Sequence, residues 1–214
     1  MNPLNLSHLR KDYRLKSLEI NEVADNPFLQ FKVWFQEAQQ AQVLESNAMS
    51  LATASVKGYP SCRIVLLKGI DDQGFLFFTN YESRKGRDLA ENPLACAVFF
   101  WAELERQVII SGEIERLPKG NSEAYFSSRP RGSQLGAWAS KQGHIVETRE
   151  VLETDYQEYE KQFEGQPIPM PPYWGGYRLI PQRIEFWQGR SDRLHDRLQY
   201  RLSEQQWIIE RLSP

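Results

Sequence analysis

Between residues 48 and 116 the chain crowds five β-forming segments into one stretch with a single short helix, and that density constrains the fold more than any other feature. The segments are 48–57, 61–68, 75–80, 94–101 and 107–116. Gly58-Tyr59-Pro60 and Asp71-Asp72-Gln73-Gly74 separate the first three with turn chemistry. Residues 83–92 form the helix, which Ser83 can cap. Strands this closely spaced favour an antiparallel barrel or sandwich over alternating β–α–β units.

The flanking regions add helices and then return to strands. Residues 1–25 are polar, carry mixed charge and lack periodicity, and read as a mobile arm. Asn26 then Pro27 looks like an N-cap and a first helical position. Phe28, Phe31, Trp34, Phe35 and Ala38 follow at helical spacing, so 27–42 is expected as an amphipathic helix with its aromatic stripe in the core. Further helices are expected at 121–128, 133–141 and 147–163. Pro167, Pro169, Pro171 and Pro172 then stop helix and make a rigid connector. Segments 173–179, 183–188, 194–202 and 206–210 read as strands that complete the same sheet. The expected class is α+β, mainly β with peripheral helices and an antiparallel, Greek-key-like order. Residues 26–214 are expected to form one domain, and the chain of 214 residues, 41% of them hydrophobic, is long enough to bury a core without staples.

Several functions are disfavoured by composition. The net charge of −2 does not suit unspecific binding to nucleic acid or an anionic membrane. The longest run free of polar side chains, 94–102, is far short of the ~20 residues that a spanning helix needs. Cys62 and Cys96 sit in apolar, strand-like runs and are expected as buried free thiols. With no signal-peptide layout at the start, the expected location is cytoplasmic. His8, His144 and His195 lack metal-ligand spacing, so no metal site is expected. There is no dinucleotide fingerprint, phosphate-binding loop or nucleophile elbow.

What remains is a set of basic residues at element ends, with 17 Arg against 9 Lys. In Arg63-Ile64-Val65-Leu66-Leu67-Lys68 a period of two puts Arg63 and Lys68 on opposite faces. The run reads as a strand buried on both sides, whose end charges need anionic partners or snorkel to solvent. Arg84 and Lys85 open a helix, the end where a dipole disfavours cations, which makes sense if a phosphate lies between them. Tyr125, Arg129 and Ser133 surround a helix boundary and offer a second set of phosphate donors. In the strand expected over 194–202, Arg193, His195 and Arg197 alternate with Leu194 and Asp196 and would face one side.

These residues resemble a known family. Arg63 to Lys68, Phe78-Thr79-Asn80 with Ser83-Arg84-Lys85, Glu105-Arg106-Gln107, Ser128-Arg129-Pro130-Arg131, Gly136-Ala137-Trp138, Trp174-Gly175-Gly176, Ile184-Glu185-Phe186-Trp187-Gln188-Gly189 and Arg193-Leu194-His195-Asp196-Arg197 look like pyridoxine/pyridoxamine 5′-phosphate oxidases. The likeness runs from about Arg10 to the C-terminus. It implies an FMN-binding split β-barrel acting as a homodimer, with FMN sites across the subunit interface. Carried over residue by residue, FMN contacts fall on Arg63, Ile64, Val65, Leu66, Leu67, Lys68, Phe78, Thr79, Arg84, Lys85, Gln107, Gln142, Gly143, Trp187 and Arg197. Substrate contacts fall on Lys68, Tyr125, Arg129 and Ser133 around the phosphate, and on Arg193, Leu194 and His195 over the ring. Residues Arg10, Lys11, Asp12 and Tyr13 would close the site, and Arg193 and His195 would be catalytic.

The implied activity is oxidation of pyridoxine and pyridoxamine 5′-phosphates to pyridoxal 5′-phosphate, with O₂ reduced to hydrogen peroxide and ammonia released from the amine. Two departures stand out: Gly143 replaces a frequent Ser, and Glu45-Ser46-Asn47-Ala48-Met49 replaces the usual Asp-Pro-x-Ala-Met. The alternatives are a phenazine-biosynthesis flavin oxidase of the same fold, and a non-catalytic carrier of flavin or pyridoxal phosphate.

Overall fold

The computed structural model describes residues 4–6, 8–9 and 11–214. Its helices are α1 (Pro27–Gln40), α2 (Arg84–Glu91), α3 (Lys119–Ser128), α4 (Arg131–Ala139) and α5 (Arg149–Gln162). Its strands are β1 (Ala48–Ala54), β2 (Pro60–Leu66), β3 (Gly69–Ile70), β4 (Phe75–Asn80), β5 (Leu94–Trp101), β6 (Arg106–Arg116), β7 (Trp174–Gln188), β8 (Asp196–Ser203) and β9 (Gln206–Leu212). They follow the order β2-β1-β5-β6-β7-β4-β3, with β8 on β7 and β9 on β8. The β1–β2, β3–β4, β4–β7, β7–β8 and β8–β9 ladders are antiparallel. The chain forms two compact units, one of Met1–Ser46, Val98–Ile110 and Gln182–Pro214, the other of Asn47–Ala97 and Ser111–Pro181.

In the first unit the aromatic stripe of α1 is core, as its spacing predicts. Phe31 meets Phe99 edge-on at 5.1 Å, and Trp34 meets Phe186 at 5.1 Å. Asn26 caps the helix by accepting from the Phe28 and Leu29 N–H groups. Arg106, almost fully buried, lies over the Trp34 ring at 4.2 Å, pairs with Glu37 at 2.6 Å and donates to Gln188. Burial pulls this guanidinium down in pKa, and Glu37 opposes the shift.

The second unit carries the β1–β2 ladder, β3 and β4. Here α3, α4 and α5 close over Phe126, Leu135, Phe163, Ile168 and Trp174. Gly112 allows the closest backbone approach, since a Cβ there would lie 1.9 Å from the Ile180 carbonyl oxygen.

Four expectations need correction. Strand β2 ends the sheet order and is not buried on both faces; Ile64 is 63% exposed. For the same reason Cys62, a free thiol as expected, is exposed, while Cys96 is half-buried. The segments 173–179 and 183–188 form one strand, β7, which tolerates Pro181 because extended backbone fits the fixed φ and only one N–H is lost. The last correction concerns Arg193. Strand β8 begins only at Asp196, and Ser191–Arg193 is a 3-10 turn in which Asp192 and Arg193 take φ of 56° and 62°. Arg193, His195 and Arg197 therefore do not share one strand face.

Candidate active site

In the second unit, β2, β4, α2, α3 and α4 line a cavity of about 590 Å³. Ile64, Val65, Leu66, Lys68, Phe78, Thr79, Lys85, Tyr125, Arg129, Ser133 and Gln142 all reach it, so Lys85 of one predicted phosphate-binding group shares the cavity with Tyr125, Arg129 and Ser133 of the other. Arg63 and Leu67 lie outside that lining, as do Arg84 and Gly143.

The aromatic side of the cavity is a stack. Tyr125 lies on Phe78 at 3.9 Å, and Phe78 lies on Trp174 at 5.7 Å. Arg129 follows α3, where Pro130 separates that helix from α4, and its guanidinium sits 4.7 Å over the Trp174 ring. The Nη1 atom of Arg129 is buried with no hydrogen-bond partner among the described residues. Burial also lowers the pKa of this guanidinium. A buried donor left unpaired costs ~1–3 kcal/mol, so an acceptor bound in the cavity would recover that energy.

The polar side is organised by the turn into α2. Ser83 caps the helix by accepting from the Gly86 N–H and donates its own hydroxyl to the Asn80 carbonyl at 2.7 Å. Buried Lys85 donates to Gln142 Oε1 at 2.8 Å, Thr79 Oγ1 at 3.0 Å and Ser83 Oγ at 3.3 Å. None of these partners is charged. Burial, aided by the like charge of Arg63, pulls Lys85 from 10.5 down to about 8.

The sign of the consequence is fixed. The unfolded chain holds the Lys85 proton more tightly than the folded one, so ligand-free stability rises with pH between about 8 and 10.5. An anion at this site favours charged Lys85, so anion affinity falls as pH rises through the same window. Phosphate-ester titrations and urea unfolding at pH 7.5 and 9.5 check both trends, and Lys85→Met should flatten them.

Arg63 is held within the β1–β2 ladder. Its Nη1 donates to Thr53 Oγ1 at 2.8 Å and Leu51 O at 3.2 Å, and its Nη2 bonds Ser61 Oγ. Both hydroxyls donate onward to buried Asp88 on α2, at 2.7 and 2.9 Å. Arg84 and Lys68 are exposed, and neither side chain has an ion-pair partner among the described residues.

The remaining predicted residues lie in the first unit. His195 lies 4.6 Å from the Trp187 ring, and its Nδ1 accepts from the Arg190 N–H at 3.0 Å, which leaves Nε2 for a ligand. Tyr13 packs against both rings, at 5.7 and 5.9 Å. Asp12 accepts from Arg14, and Lys11 reaches Glu105 at 3.3 Å. Arg197 makes a two-pronged contact with Glu185 at 2.7 and 3.0 Å, which raises its pKa. Gln107 is half-buried, whereas Arg193 and Leu194 are exposed. Arg10 lies outside the described residues.

Reading the sequence gave no role to Asn80, Pro130, Gly136, Ala137, Ser140 or Trp174, which all line the cavity. All of these but Ser140 stood in the motifs that carry the resemblance, and that was the available signal. Among the described residues no cluster of His, Cys, Asp or Glu could hold a metal ion, and no helix is long and apolar enough to cross a membrane.

Comparison with known proteins follows the same lines. Residues 35–163 match the pyridoxamine 5′-phosphate oxidase family, and residues 174–214 match the pyridoxine 5′-phosphate oxidase C-terminal dimerisation region. The pyridoxine/pyridoxamine 5′-phosphate oxidase of Acaryochloris marina is 58% identical over 98% of this chain and 96% of its own. That of Synechocystis is 54% identical over the full length of both chains. Among solved structures, PhzG from Burkholderia lata, in complex with tetrahydrophenazine-1-carboxylic acid, superposes with a TM-score of 0.89 at 33% identity, covering 95% of this chain and all of that one. A pyridoxamine 5′-phosphate oxidase-related, FMN-binding protein from Nostoc punctiforme shares the fold, with a TM-score of 0.71 at 16% identity over 90% of this chain and all of that one. The split-barrel fold expected from the sequence is thus the one observed, and the chain belongs to the pyridoxamine 5′-phosphate oxidase family.

Proposed function

We propose that this protein is an FMN-dependent oxidase that converts pyridoxine 5′-phosphate and pyridoxamine 5′-phosphate to pyridoxal 5′-phosphate, with O₂ as electron acceptor. The observation that carries the reading is the cavity wall of Lys68, Tyr125, Arg129 and Ser133, where Arg129 Nη1 is buried without an acceptor. A phosphate monoester supplies the missing oxygens and the charge. The uncharged hydrogen-bond partners of Lys85, the nearby positive charge of Arg63 and the N-terminal turn of α2 fit a second phosphate, that of FMN.

The chemistry that bound FMN supplies is two-electron acceptance from the substrate and its discharge to O₂. This chain's residues bind and orient. Lys68, Arg129, Tyr125 and Ser133 hold the substrate phosphate by charge-assisted bonds, which fixes the vitamin ring for reaction. The Phe78–Tyr125–Trp174 stack keeps water from one side. Arg193 and His195 face the substrate ring, and the latter offers Nε2. The matched dimerisation region supports a homodimer, for which C₂ symmetry is the commonest arrangement.

A phenazine-type oxidation is the second reading, favoured by the close superposition on PhzG. The four phosphate donors weigh against it. An oxygen electrode separates the two: the flavin-loaded protein should consume O₂ and form peroxide with either phosphorylated vitamer. Heat release should yield FMN, and light scattering should give a dimer. A yellow protein that turns over neither vitamer overturns the reading.

A further inference from the structure

We propose that Glu105 is a positioning residue, a buried carboxylate that clasps residues 11–15 by their main chain and thereby sets Tyr13 against Trp187 and His195. The inference rests on the reading that Trp187 and His195 face flavin and substrate. Glu105 follows the 3-10 turn Ala102–Leu104 and takes a left-handed φ of 54°. That conformation is strained for a residue with a side chain, and such strain persists where the surroundings enforce it. Its side chain is 4% exposed. A carboxylate so buried needs donors, and it finds them in one short segment. Oε2 accepts from the Arg14 N–H at 2.9 Å and the Leu15 N–H at 3.1 Å, and Oε1 pairs with Lys11 at 3.3 Å.

The other half of the clasp is the chain that Tyr13 touches. The Gly189 N–H donates to the Glu105 carbonyl at 2.8 Å, so one residue ties both segments of the contact. A Cβ on Gly189 would lie 2.7 Å from Tyr13 Cγ and 2.8 Å from its Cβ; glycine is what lets the ring sit there. Ser191 Oγ adds a bond to the Tyr13 carbonyl at 3.3 Å. Because the carboxylate bonds main-chain N–H groups, it fixes where the segment runs whatever side chains the segment carries. The expected role is therefore to hold the Tyr13 wall for substrate binding, without touching the reacting atoms.

The test uses the flavin-loaded full-length protein with Glu105→Asn, which tolerates left-handed φ but is one methylene too short, and Glu105→Gln, which keeps the reach and one acceptor oxygen. In Glu105→Asn the Arg14 and Leu15 amides should exchange hydrogen at least about tenfold faster, a local opening without global unfolding. The KM for pyridoxine 5′-phosphate should rise about tenfold while kcat and flavin affinity stay near the parent values, as expected for lost substrate binding. Glu105→Gln should restore both the exchange protection and the KM. Should Glu105→Asn not fold, Gly189→Ala displaces Tyr13 from the other side and should raise KM in the same way. Unchanged exchange in Glu105→Asn overturns the clasp, and faster exchange with unchanged KM overturns its role in positioning. The exchange result reads the clasp even if the protein oxidises neither vitamer, so it stands apart from the functional reading.

Discussion

Arg129→Ala is expected to lower kcat/KM for both phosphorylated vitamers by about ten- to a hundredfold, with flavin affinity unchanged, because one charge-assisted hydrogen bond of ~1.5–3 kcal/mol is lost. The guanidinium is placed for this by its own packing. It lies over Trp174, beside Tyr125 and Ser133 in the same cavity, and presents a buried Nη1 with nothing to bond. Arg129→Lys should recover only part of the loss, since an ammonium keeps the charge but neither the flat stacking face nor the fork of donors. Arg84→Ala should show the opposite bias and weaken flavin retention more than substrate binding, because Arg84 opens α2 on the Lys85 side. Flavin titration beside steady-state kinetics at saturating FMN separates the two effects. If Arg129→Ala strips flavin while Arg84→Ala touches only substrate, the assignment of the two phosphate sites is reversed.

The phosphate cluster was legible because its members are close in sequence. Tyr125, Arg129 and Ser133 are four residues apart on either side of Pro130, so a helix break marks the place and the residue types name the ligand. Strands β4 and β5 begin and end where expected, bounded by the turn at Gly74, the bend after Asn80 and Pro93. The long-range contacts of the buried acids were not legible. Asp88 meets Thr53 from 35 positions away, and Glu105 meets Arg14 across 91. No local pattern carries such pairings, because a carboxylate in a mixed-charge run looks the same whether it is solvated or buried. The reading of β2 failed for a related reason. Alternation fixes which residues share a face, but only the strand order says that this strand is at the end of the sheet. Arg193 shows the limit of periodicity itself, since two consecutive left-handed residues end any alternation before β8 begins.

Gly86→Ala is expected to destabilise the protein by about 1–3 kcal/mol or more, in the range for overpacking at a rigid contact, and to impair flavin retention with it. In an open helix the same substitution stabilises by about 1 kcal/mol, because alanine is the better helix former. The sign reverses here because of what Gly86 faces. A Cβ would lie 2.0 Å from the Tyr81 carbonyl oxygen and 2.4 Å from its carbon, and both are backbone atoms that no rotamer change can move. Helix α2 would have to shift away from the turn that leaves β4. That shift would break the Gly86 N–H bond to Ser83, drag Lys85 off Thr79 and Gln142, and disturb the Asp88 contacts that hold Arg63 through Thr53 and Ser61. Gly120→Ala, in α3 with nothing within 4 Å of the new Cβ, is the matched control and should be neutral or slightly stabilising. Thermal unfolding and flavin titration on both variants decide it. Equal melting temperatures for the two would mean that α2 is free to move, and that the anion site at its N-terminus is not held by this close approach.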